Sequence, residues 1–418
     1  MKHLYHFGIL CYGMAIKLAA LVGNSKAKKW IKGREKWKNK INEFDNKNPT
    51  IWIHISSLGE YIMTQPLIDL LLNEYQQKVI YLSFFSPSGY ENTRIENPRI
   101  KKIYLPLDTA ANAKYFIKKI NPCIAIFAKY DFWFNYLSEI QKNDIPSIVF
   151  STALNKQHVY FKYSWNWHKN ILKEISKILV IKEENLDFLQ NEGFDNASIC
   201  GDTRFDQVSN NKLSNETFSN VKKYIGGRNS MILGSSWPKE EKIVKALHNN
   251  KETALIIAPH EVSEQRIVEI ENTFKNTIRY SNLHSLKICK DEVLIIDSIG
   301  MLASIYELTD IAVIGGGFSG KLHNILEPAS KNNVILFGPN YSKFPEAIDL
   351  IELNAARSFS NEAELKNIKD ELKNAEKTNT MKNTAFNYIE KNKGASRIVF
   401  NAIKELLDHS TTSASSRI

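Results

Sequence analysis

The 418-residue chain is too long for a single typical core, so its length predicts two domains of roughly 150 to 200 residues each. Its 43% hydrophobic content argues against a disordered protein. The four cysteines stand singly without a CxxC pair, which indicates neither a zinc site nor a disulfide framework. The formal net charge of +10 is concentrated near the N-terminus rather than spread over the chain.

The N-terminal segment, residues 1–45, combines an apolar stretch with a basic one. Residues 1–40 hold ten Lys and Arg against one acid, Glu35. Residues 4–22 have about the length of a membrane span, roughly 20 residues, but a helix lying in one leaflet fits equally well. The pattern predicts a membrane-associated helix on an anionic membrane surface. The alternative is an ordinary amphipathic helix packed on a domain.

The charge pattern also bears on partners and orientation. A nucleic-acid-binding protein would show a basic face across a folded domain, whereas the rest of this chain is nearly neutral. We therefore expect no nucleic acid partner. The lysine-rich flank has the sign expected on the cytoplasmic side of a membrane.

Short β-rich runs then alternate with helix-length segments through the first half of the chain. This alternation predicts a parallel, doubly wound sheet and an N-terminal Rossmann-like domain over residues 46–208. The runs cover residues 51–57, 78–86, 100–107, 123–130, 146–152, 175–181 and 197–203.

An Asn-, Ser- and Gly-rich stretch at residues 206–230 interrupts the rhythm and predicts a linker. A second Rossmann-like domain is expected over residues 209–395, and residues 396–418 read as a helix end and a disordered tail. The fold class is therefore α/β, with two domains facing across a cleft. The resumed β-rich runs cover residues 231–236, 254–259, 293–298, 311–317 and 333–339.

Glu60 is the first candidate for chemistry, because it follows the first β-rich run and opens the next helix-length segment. Ligands of open α/β sheets bind beyond the carboxyl ends of the strands. The helix dipole would hold the carboxylate ionised, and an ionised carboxylate can take a proton from a substrate hydroxyl. Glu60 as a simple helix-terminal acid is the alternative. Ser56 and Ser57 can likewise cap the helix or bind a ligand.

In the second domain, a strand runs into Gly315, Gly316 and Gly317, and a helix is expected to begin near His323. Glycines allow close backbone approach, and a helix N-terminus offers amides to a phosphate. The spacing of these glycines matches neither a Walker loop nor a dinucleotide-binding fingerprint. Glu327, four residues after His323 and thus on the same helical face, can bind the ribose of a nucleotide.

Two neighbouring runs of the same domain end in polar residues. Ser235 and Ser236 follow one run, and His260 follows the next. They can line a nucleotide pocket, although helix capping by Ser236 is an equal alternative.

These stretches together resemble the Kdo transferases, which attach 3-deoxy-D-manno-oct-2-ulosonic acid to the lipid A precursor in Gram-negative bacteria. The resemblance covers nearly the whole chain, and the joint order of the motifs is specific. It rests on GREKW at 33–37, HISSLGE at 54–60, GDTRFD at 201–206, GSSWPKEE at 234–241, APHE at 258–261, HNILEPAS at 323–330 and LFGPNYSKFPEA at 336–347.

The resemblance implies a glycosyltransferase B-type fold whose first domain binds the acceptor and whose second binds CMP-Kdo. It implies inverting transfer to lipid IVA in lipopolysaccharide biosynthesis, on the cytoplasmic face of the bacterial inner membrane, with no metal and no cofactor. Glu60 would be the general base. The implied donor residues are Ser235, Ser236, His260, Gly315, Gly316, Gly317, His323, Asn324 and Glu327, and the implied acceptor or sugar residues are Ser56, Ser57, Gly59, Asp131 and Arg204.

The sequence departs from the family pattern in two places. Where the family commonly reads Met-Glu-Thr-Glu-Leu-Trp-Pro-Asn, this chain has Lys129 in place of the first acid and Asp131 in place of the second. A family arginine is also missing before His260. Its charge would have to come from another basic residue: Arg204, Arg266, Lys321 or Lys343.

Two other functions stay open on the sequence. One is a lipid-linked B-type glycosyltransferase that uses a UDP-sugar donor. The other is a membrane-anchored protein whose two domains bind a ligand without chemistry, and such a protein would keep its function if Glu60 became Gln.

Overall fold

The structure is a computed structural model that describes residues 2–43, 49–162, 165–207, 215–248, 252–283 and 292–415. Cys289 and positions 208–214 of the predicted linker lie outside this part of the chain. The chain divides into two compact units, Met1–Gln207 with Lys393–Ile418, and Val208–Asn392.

The first unit is built on a seven-stranded sheet with the order β3-β2-β1-β4-β5-β6-β7. Every neighbouring pair is parallel. The central strands are buried along their whole length, as expected for a parallel sheet covered on both faces. The strands are β1 (Thr50–Ile55), β2 (Ile80–Phe84), β3 (Ile100–Tyr104), β4 (Pro122–Ala128), β5 (Ser147–Thr152), β6 (Lys177–Val180) and β7 (Ala197–Ile199).

Helices connect these strands and cover both faces of the sheet. Many begin at a side-chain cap, such as Ser57 before α4 and Thr109 before α6. They are α4 (Leu58–Glu74), α5 (Pro87–Asn92), α6 (Ala110–Ile120), α7 (Phe134–Lys142), α8 (Asn166–Lys173) and α9 (Glu183–Asn191), after α1 (Lys2–Leu21), α2 (Ser25–Arg34) and α3 (Trp37–Asn42) at the N-terminus.

Helix α1 packs on the first unit along one face. The Tyr5 hydroxyl donates to Asp108 Oδ2 at 2.5 Å, and the Tyr12 ring stacks on Phe85 with 6.1 Å between centroids. Its other face exposes Leu4, Phe7, Leu10, Met14 and Leu18. By length and composition the helix could cross a membrane. Helix α1 therefore packs on the first unit with one face and exposes apolar side chains on the other.

The second unit has a seven-stranded, fully parallel sheet with the order β10-β11-β9-β8-β12-β13-β14. All five predicted strands of this half are present, and the two that the sequence missed, β10 and β14, are three-residue edge strands. The strands are β8 (Asn229–Ser236), β9 (Thr253–Pro259), β10 (Thr277–Arg279), β11 (Val293–Ile295), β12 (Ile311–Ile314), β13 (Val334–Phe337) and β14 (Ala356–Ser358).

The helices of the second unit are α10 (Asn215–Ile225), α11 (Pro238–Leu247), α12 (Glu264–Phe274), α13 (Leu302–Ile305), α14 (Leu326–Ser330), α15 (Pro345–Glu352), α16 (Glu362–Glu371) and α17 (Ala375–Asn392). The last helix, α18 (Ala395–Ser415), belongs to the first unit. Val399, Phe400 and Ile403 join the core on one face of the first sheet. The structure thus continues a helix through most of the tail that the sequence predicted to be disordered.

Candidate active site

The candidate residues of the first unit meet where the strand order reverses, between β1 and β4. Ser56, Ser57 and Glu60 follow β1, and Asp131 follows β4. In open α/β sheets this switch point forms a crevice, because the connections on its two sides run to opposite faces of the sheet. The sheet order therefore brings together residues that lie more than 70 positions apart in the chain.

Glu60 is the third residue of α4 and completes a capping box with Ser57. Its Oε2 accepts the amides of Ser56 and Ser57, the latter at 3.0 Å, while Ser57 Oγ accepts the Glu60 amide at 3.3 Å. The other oxygen, Oε1, accepts no hydrogen bond from the residues described in this structure. Glu60 is thus a helix cap through Oε2, while Oε1 is unengaged among the described residues.

Burial raises the pKa of Glu60 above its ordinary value, and the negative charge of Asp131 adds to the rise. The amides of Ser56 and Ser57 and the nearby His54 lower the pKa without reversing its net direction. This direction is opposite to the one expected from the helix dipole alone. A carboxylate with a raised pKa is a better proton acceptor once it is ionised.

Asp131 joins a buried polar network that runs back into the sheet. Its Oδ2 accepts the Ser56 hydroxyl and lies 3.2 Å from His54 Nε2. His54 is fully buried on β1, and its Nδ1 lies 2.8 Å from Ser83 Oγ on β2. The Trp133 indole N–H points at the same Nε2 at 3.3 Å. The Trp133 contact needs that nitrogen without a hydrogen while the Asp131 contact needs it with one, so the two hydrogen bonds do not form at the same time.

The remaining residues implied for the acceptor side lie at the same edge of the sheet. A Cβ on Gly59 would meet only Ser57 Oγ at 4.0 Å, so no close contact in the structure explains a glycine there. Arg204 follows β7 and pairs with Asp202 at 2.8 Å. Lys129 directly follows β4 in a left-handed conformation, with φ of 61°, and its amide donates to the Phe150 carbonyl.

In the second unit, the three glycines follow β12 at the switch point between β8 and β12. A side chain at any of the three positions would clash with neighbouring backbone atoms. A Cβ on Gly315 would lie 1.9 Å from the Ser235 carbonyl, and one on Gly317 would lie 2.5 Å from the Gly338 amide. Gly316 has φ of 84°, and a Cβ on it would lie 2.1 Å from the Lys321 carbonyl oxygen. The glycines hold three loops together at the carboxyl edge of the sheet.

Two buried carboxylates fix this turn from α11. Glu240 Oε1 accepts the Gly316 amide at 2.7 Å, while its Oε2 is buried and has no partner among the described residues. Glu241 Oε1 accepts the Ser236 hydroxyl at 2.6 Å and the Arg266 guanidinium. Ser236 is therefore committed internally, and the helix N-cap is Trp237, so the capping alternative for Ser236 is wrong.

Three rings stack beside the glycine turn. Trp237 and His260 lie parallel with 5.1 Å between centroids, and His260 and His323 are 4.3 Å apart. The Trp237 indole N–H points at His323 Nε2 at 3.3 Å. Burial, with a smaller contribution from His260, lowers the pKa of His323 to about 4, so its ring is neutral at pH 7. Flat rings of this kind offer a stacking surface to a planar ligand.

The helix expected to begin near His323 begins instead at Leu326. Asn324 causes the delay, because its Oδ1 accepts the Leu326 amide and its Nδ2 donates to Glu327 Oε1 at 3.1 Å. His323 and Glu327 are therefore not on one helical face, and that part of the prediction is wrong. Burial raises the pKa of Glu327 above its ordinary value.

The four basic residues that could replace the charge of the missing family arginine differ in ion pairing and exposure. Arg266 is paired with Glu241 and Glu269, and Arg204 with Asp202, so both of these charges are already matched. Lys321 and Lys343 are exposed, and Lys321 lies within the loop that follows the glycine turn. No group of three or more His, Cys, Asp and Glu suited to a metal occurs in the described part of the chain.

Sequence reasoning missed several residues that the structure places in these networks. His54 and Trp133 contact Asp131 or its partner, and Glu240 holds the glycine turn. Each was visible only as part of a quoted motif. Ser83 had no sequence signal, because it becomes a partner of His54 only through strand pairing.

The fold and the two switch-point sites define a two-domain protein of the glycosyltransferase B type. A UDP-GlcNAc 2-epimerase from Neisseria meningitidis has the same fold with a TM-score of 0.57, at 12% identity, over 85% of this chain and 100% of that one. The calicheamicin glycosyltransferase CalG4 gives 0.53, at 10% identity, over 87% and 99%. The α/β class and the glycosyltransferase B-type fold that the sequence predicted are confirmed.

Within that class, the chain resembles the Kdo transferases. Residues 33–207 match the family model described as 3-deoxy-D-manno-octulosonic-acid transferase. The 3-deoxy-D-manno-octulosonic acid transferase of Rickettsia bellii is 24% identical over 82% of this chain and 84% of the relative. The resemblance predicted from the motifs is therefore confirmed, and the comparisons support a glycosyltransferase of this type.

Proposed function

We propose that the chain transfers Kdo from CMP-Kdo to the lipid A precursor, with inversion and with Glu60 as the general base. The observation that carries the proposal is the state of Glu60. Its carboxylate stands at the β1/β4 switch point, keeps Oε1 unengaged and has a raised pKa. It lies inside the segment that matches the Kdo transferase family.

In this mechanism Glu60 Oε1 takes the proton of an acceptor sugar hydroxyl. The freed oxygen attacks the anomeric carbon of Kdo, and the bond from that carbon to the CMP phosphate oxygen breaks with its electron pair. Attack opposite to the leaving group inverts the anomeric centre. The amides of Ser56 and Ser57 hold the carboxylate in one orientation, which reduces the cost of positioning it.

Ser56, Ser57, Gly59 and Asp131 are proposed to line the acceptor sugar site. The Ser56 hydroxyl and the Asp131 carboxylate are already bonded to each other. They can therefore exchange that bond for hydrogen bonds to sugar hydroxyls without leaving a buried group unpaired. Arg204 is proposed to act more remotely, because its guanidinium is engaged by Asp202.

The second unit is proposed to bind the CMP portion of the donor. The stack of Trp237, His260 and His323 suits a planar base, and Glu327 with Asn324 suits ribose hydroxyls. Ser235 and the glycine turn would lie near the phosphate, with Lys321 supplying positive charge. Ser236 is proposed to position Glu241 rather than to touch the nucleotide.

The outward apolar face of α1 and its lysine-rich continuation support action at a membrane, and we propose the cytoplasmic face of the inner membrane. The partners would be CMP-Kdo, an acylated and phosphorylated acceptor and an anionic lipid surface.

The test is transfer of Kdo to lipid IVA, measured as CMP release in the presence of EDTA. Acceptor-dependent release that CMP inhibits and UDP does not would support the proposal, including its independence of metal. Inhibition by UDP with no turnover of CMP-Kdo would favour a UDP-sugar transferase instead. Binding of CMP-Kdo without release under any acceptor would favour a binding protein.

A further inference from the structure

A cavity of about 580 Å³ lies between α1, α2 and the loop that follows β3. Its walls are mainly apolar and include Leu10, Met14, Trp30 and Leu107, with Lys17 also contributing to the lining. The volume is in the usual range for a small-molecule site, roughly 300 to 1,000 Å³. Nothing in the capping, catalytic or nucleotide-binding contacts described above uses this cavity.

The cavity opens onto the apolar face of α1. Leu10 and Met14 line it, yet each is 54% exposed. Gly13 also lines the cavity, and a Cβ there would come within 3.0 Å of Leu107 Cδ2. The helix therefore approaches the domain closely at Gly13, while Leu10 and Met14 connect the cavity to the surface that would face lipid.

Arg34 makes one wall of the cavity rigid. It is 8% exposed, its guanidinium lies 3.8 Å from the Trp30 ring, and it donates to the carbonyls of Leu105 and Phe85 at 2.8 and 2.6 Å. These carbonyls belong to the segments that follow β3 and β2. A single buried cation thus ties α2 to two strand ends, so this wall of the cavity is fixed.

Two rings connect this wall to the proposed acceptor site. Phe85 follows β2, and its ring lies 4.6 Å from that of Trp133. Trp133 in turn contacts His54, the partner of Asp131. Both rings are half-buried. The cavity and Glu60 therefore lie at the same carboxyl edge of the sheet, joined by a row of aromatic surface.

We propose that this cavity holds one acyl chain of the acceptor lipid while the acceptor sugar lies at Glu60. The inference rests on the proposed function and adds a binding subsite to it. An apolar cavity that opens toward lipid suits a hydrocarbon chain, and the exposed Lys17 at its lining suits the anionic group of a phosphorylated lipid. A bilayer phospholipid is the competing occupant, and the test separates the two.

The first measurement is photolabelling of the full chain in phosphatidylethanolamine–phosphatidylglycerol vesicles. The acceptor carries a diazirine at the end of one acyl chain. We expect label on Leu10, Met14 or Leu107, and loss of that label in Met14→Trp, whose larger side chain would fill the cavity. Leu18→Trp is the matched control, because Leu18 is also exposed on α1, at 63% against 54% for Met14, and does not line the cavity.

Label confined to Leu4, Leu18 and Leu21 would overturn the proposal, because the chain would then stay in the bilayer. Equal labelling of the cavity by a diazirine phospholipid, without competition from the acceptor, would also overturn it. If Met14→Trp does not fold, the label pattern in the native chain decides alone.

The second measurement is the chain-length dependence of kcat/KM. With the acceptor dispersed as monomers, shortening one acyl chain by two methylenes should lower the native kcat/KM about fifteenfold, since each methylene moved from water into the cavity changes affinity by about fourfold. The ratio between long and short acceptors should collapse in Met14→Trp and persist in Leu18→Trp. A native chain that transfers Kdo with no length dependence refutes the cavity alone, whereas cavity labelling without any transfer refutes the proposed function alone.

Discussion

Replacing Glu60 by Gln separates its two structural roles. Gln keeps an oxygen that can accept the amides of Ser56 and Ser57, so most of the helix cap survives. A lost cap costs about 1 kcal/mol, and a partly retained cap less. General-base catalysis, in contrast, contributes about 10²- to 10⁴-fold to the rate. We therefore expect kcat to fall by that factor while the midpoint of thermal unfolding moves by only a few degrees, at about 2–4 °C per kcal/mol.

Glu364→Gln is the matched control, because Glu364 stands at the same position after its N-cap as Glu60 and also accepts the amide of the residue before the cap. Glu364 is the third residue after its N-cap, Asn361, and its Oε2 accepts the Ser360 amide at 2.7 Å. It lies at an exposed helix start away from both switch points. Glu364→Gln should match Glu60→Gln in stability and match the native chain in kcat.

The assay is CMP release under saturating CMP-Kdo, with thermal unfolding of each variant in the same buffer. If Glu60→Gln turns over at the native rate and differs from Glu364→Gln in neither measurement, Glu60 is only a helix cap and the proposed mechanism is wrong. A rate loss accompanied by global unfolding in Glu60→Gln would mean that the cap, not the base, limits activity.

Three further results are expected. Asp131→Asn removes a negative charge that raises the pKa of Glu60, so the acid limb of the pH profile of kcat/KM should move to lower pH. An unmoved acid limb would contradict the electrostatic coupling between Asp131 and Glu60. Gly316→Ala should destabilise the second unit by about 2–4 kcal/mol in urea unfolding, since its Cβ would lie 2.1 Å from a carbonyl oxygen. Gly227→Ala, at φ of 77° with open space around it, should cost only about 1 kcal/mol. Equal losses in the two variants would rule out the clash. Tyr5→Phe leaves a buried carboxylate without its hydroxyl partner, so amide exchange in α1 should quicken about 5- to 150-fold, the factor for a loss of about 1–3 kcal/mol. Unchanged exchange would mean that the bond does not hold the helix.

The strands were predictable because their signal is local. Each predicted run overlaps a strand in the structure, and all of them except residues 197–203 carry three or more consecutive apolar residues. The edge strands β10 and β14 were missed because three residues are too few to show a pattern. The position of Glu60 at a strand end was equally readable, as was the helix that it opens.

The errors came from side chains that change a local pattern. Asn324 accepts the Leu326 amide, so α14 begins only at Leu326. The four-residue spacing between His323 and Glu327 therefore does not place them on one helical face. Ser236 looks like a capping residue in the sequence, but its hydroxyl turns inward to Glu241. Sequence spacing gives no information on which way such a short polar side chain points.

The sequence by itself determined the alternation of strands and helices, the likeness to the Kdo transferases and the residue at the end of β1. Only the tertiary structure decided what surrounds that residue. His54 and Asp131 lie 77 positions apart and meet because the sheet places β4 beside β1. The return of α18 to the first unit and the cavity beneath α1 are likewise long-range contacts. Periodicity reports which face of an element is buried, whereas the order in which elements pack depends on the whole chain.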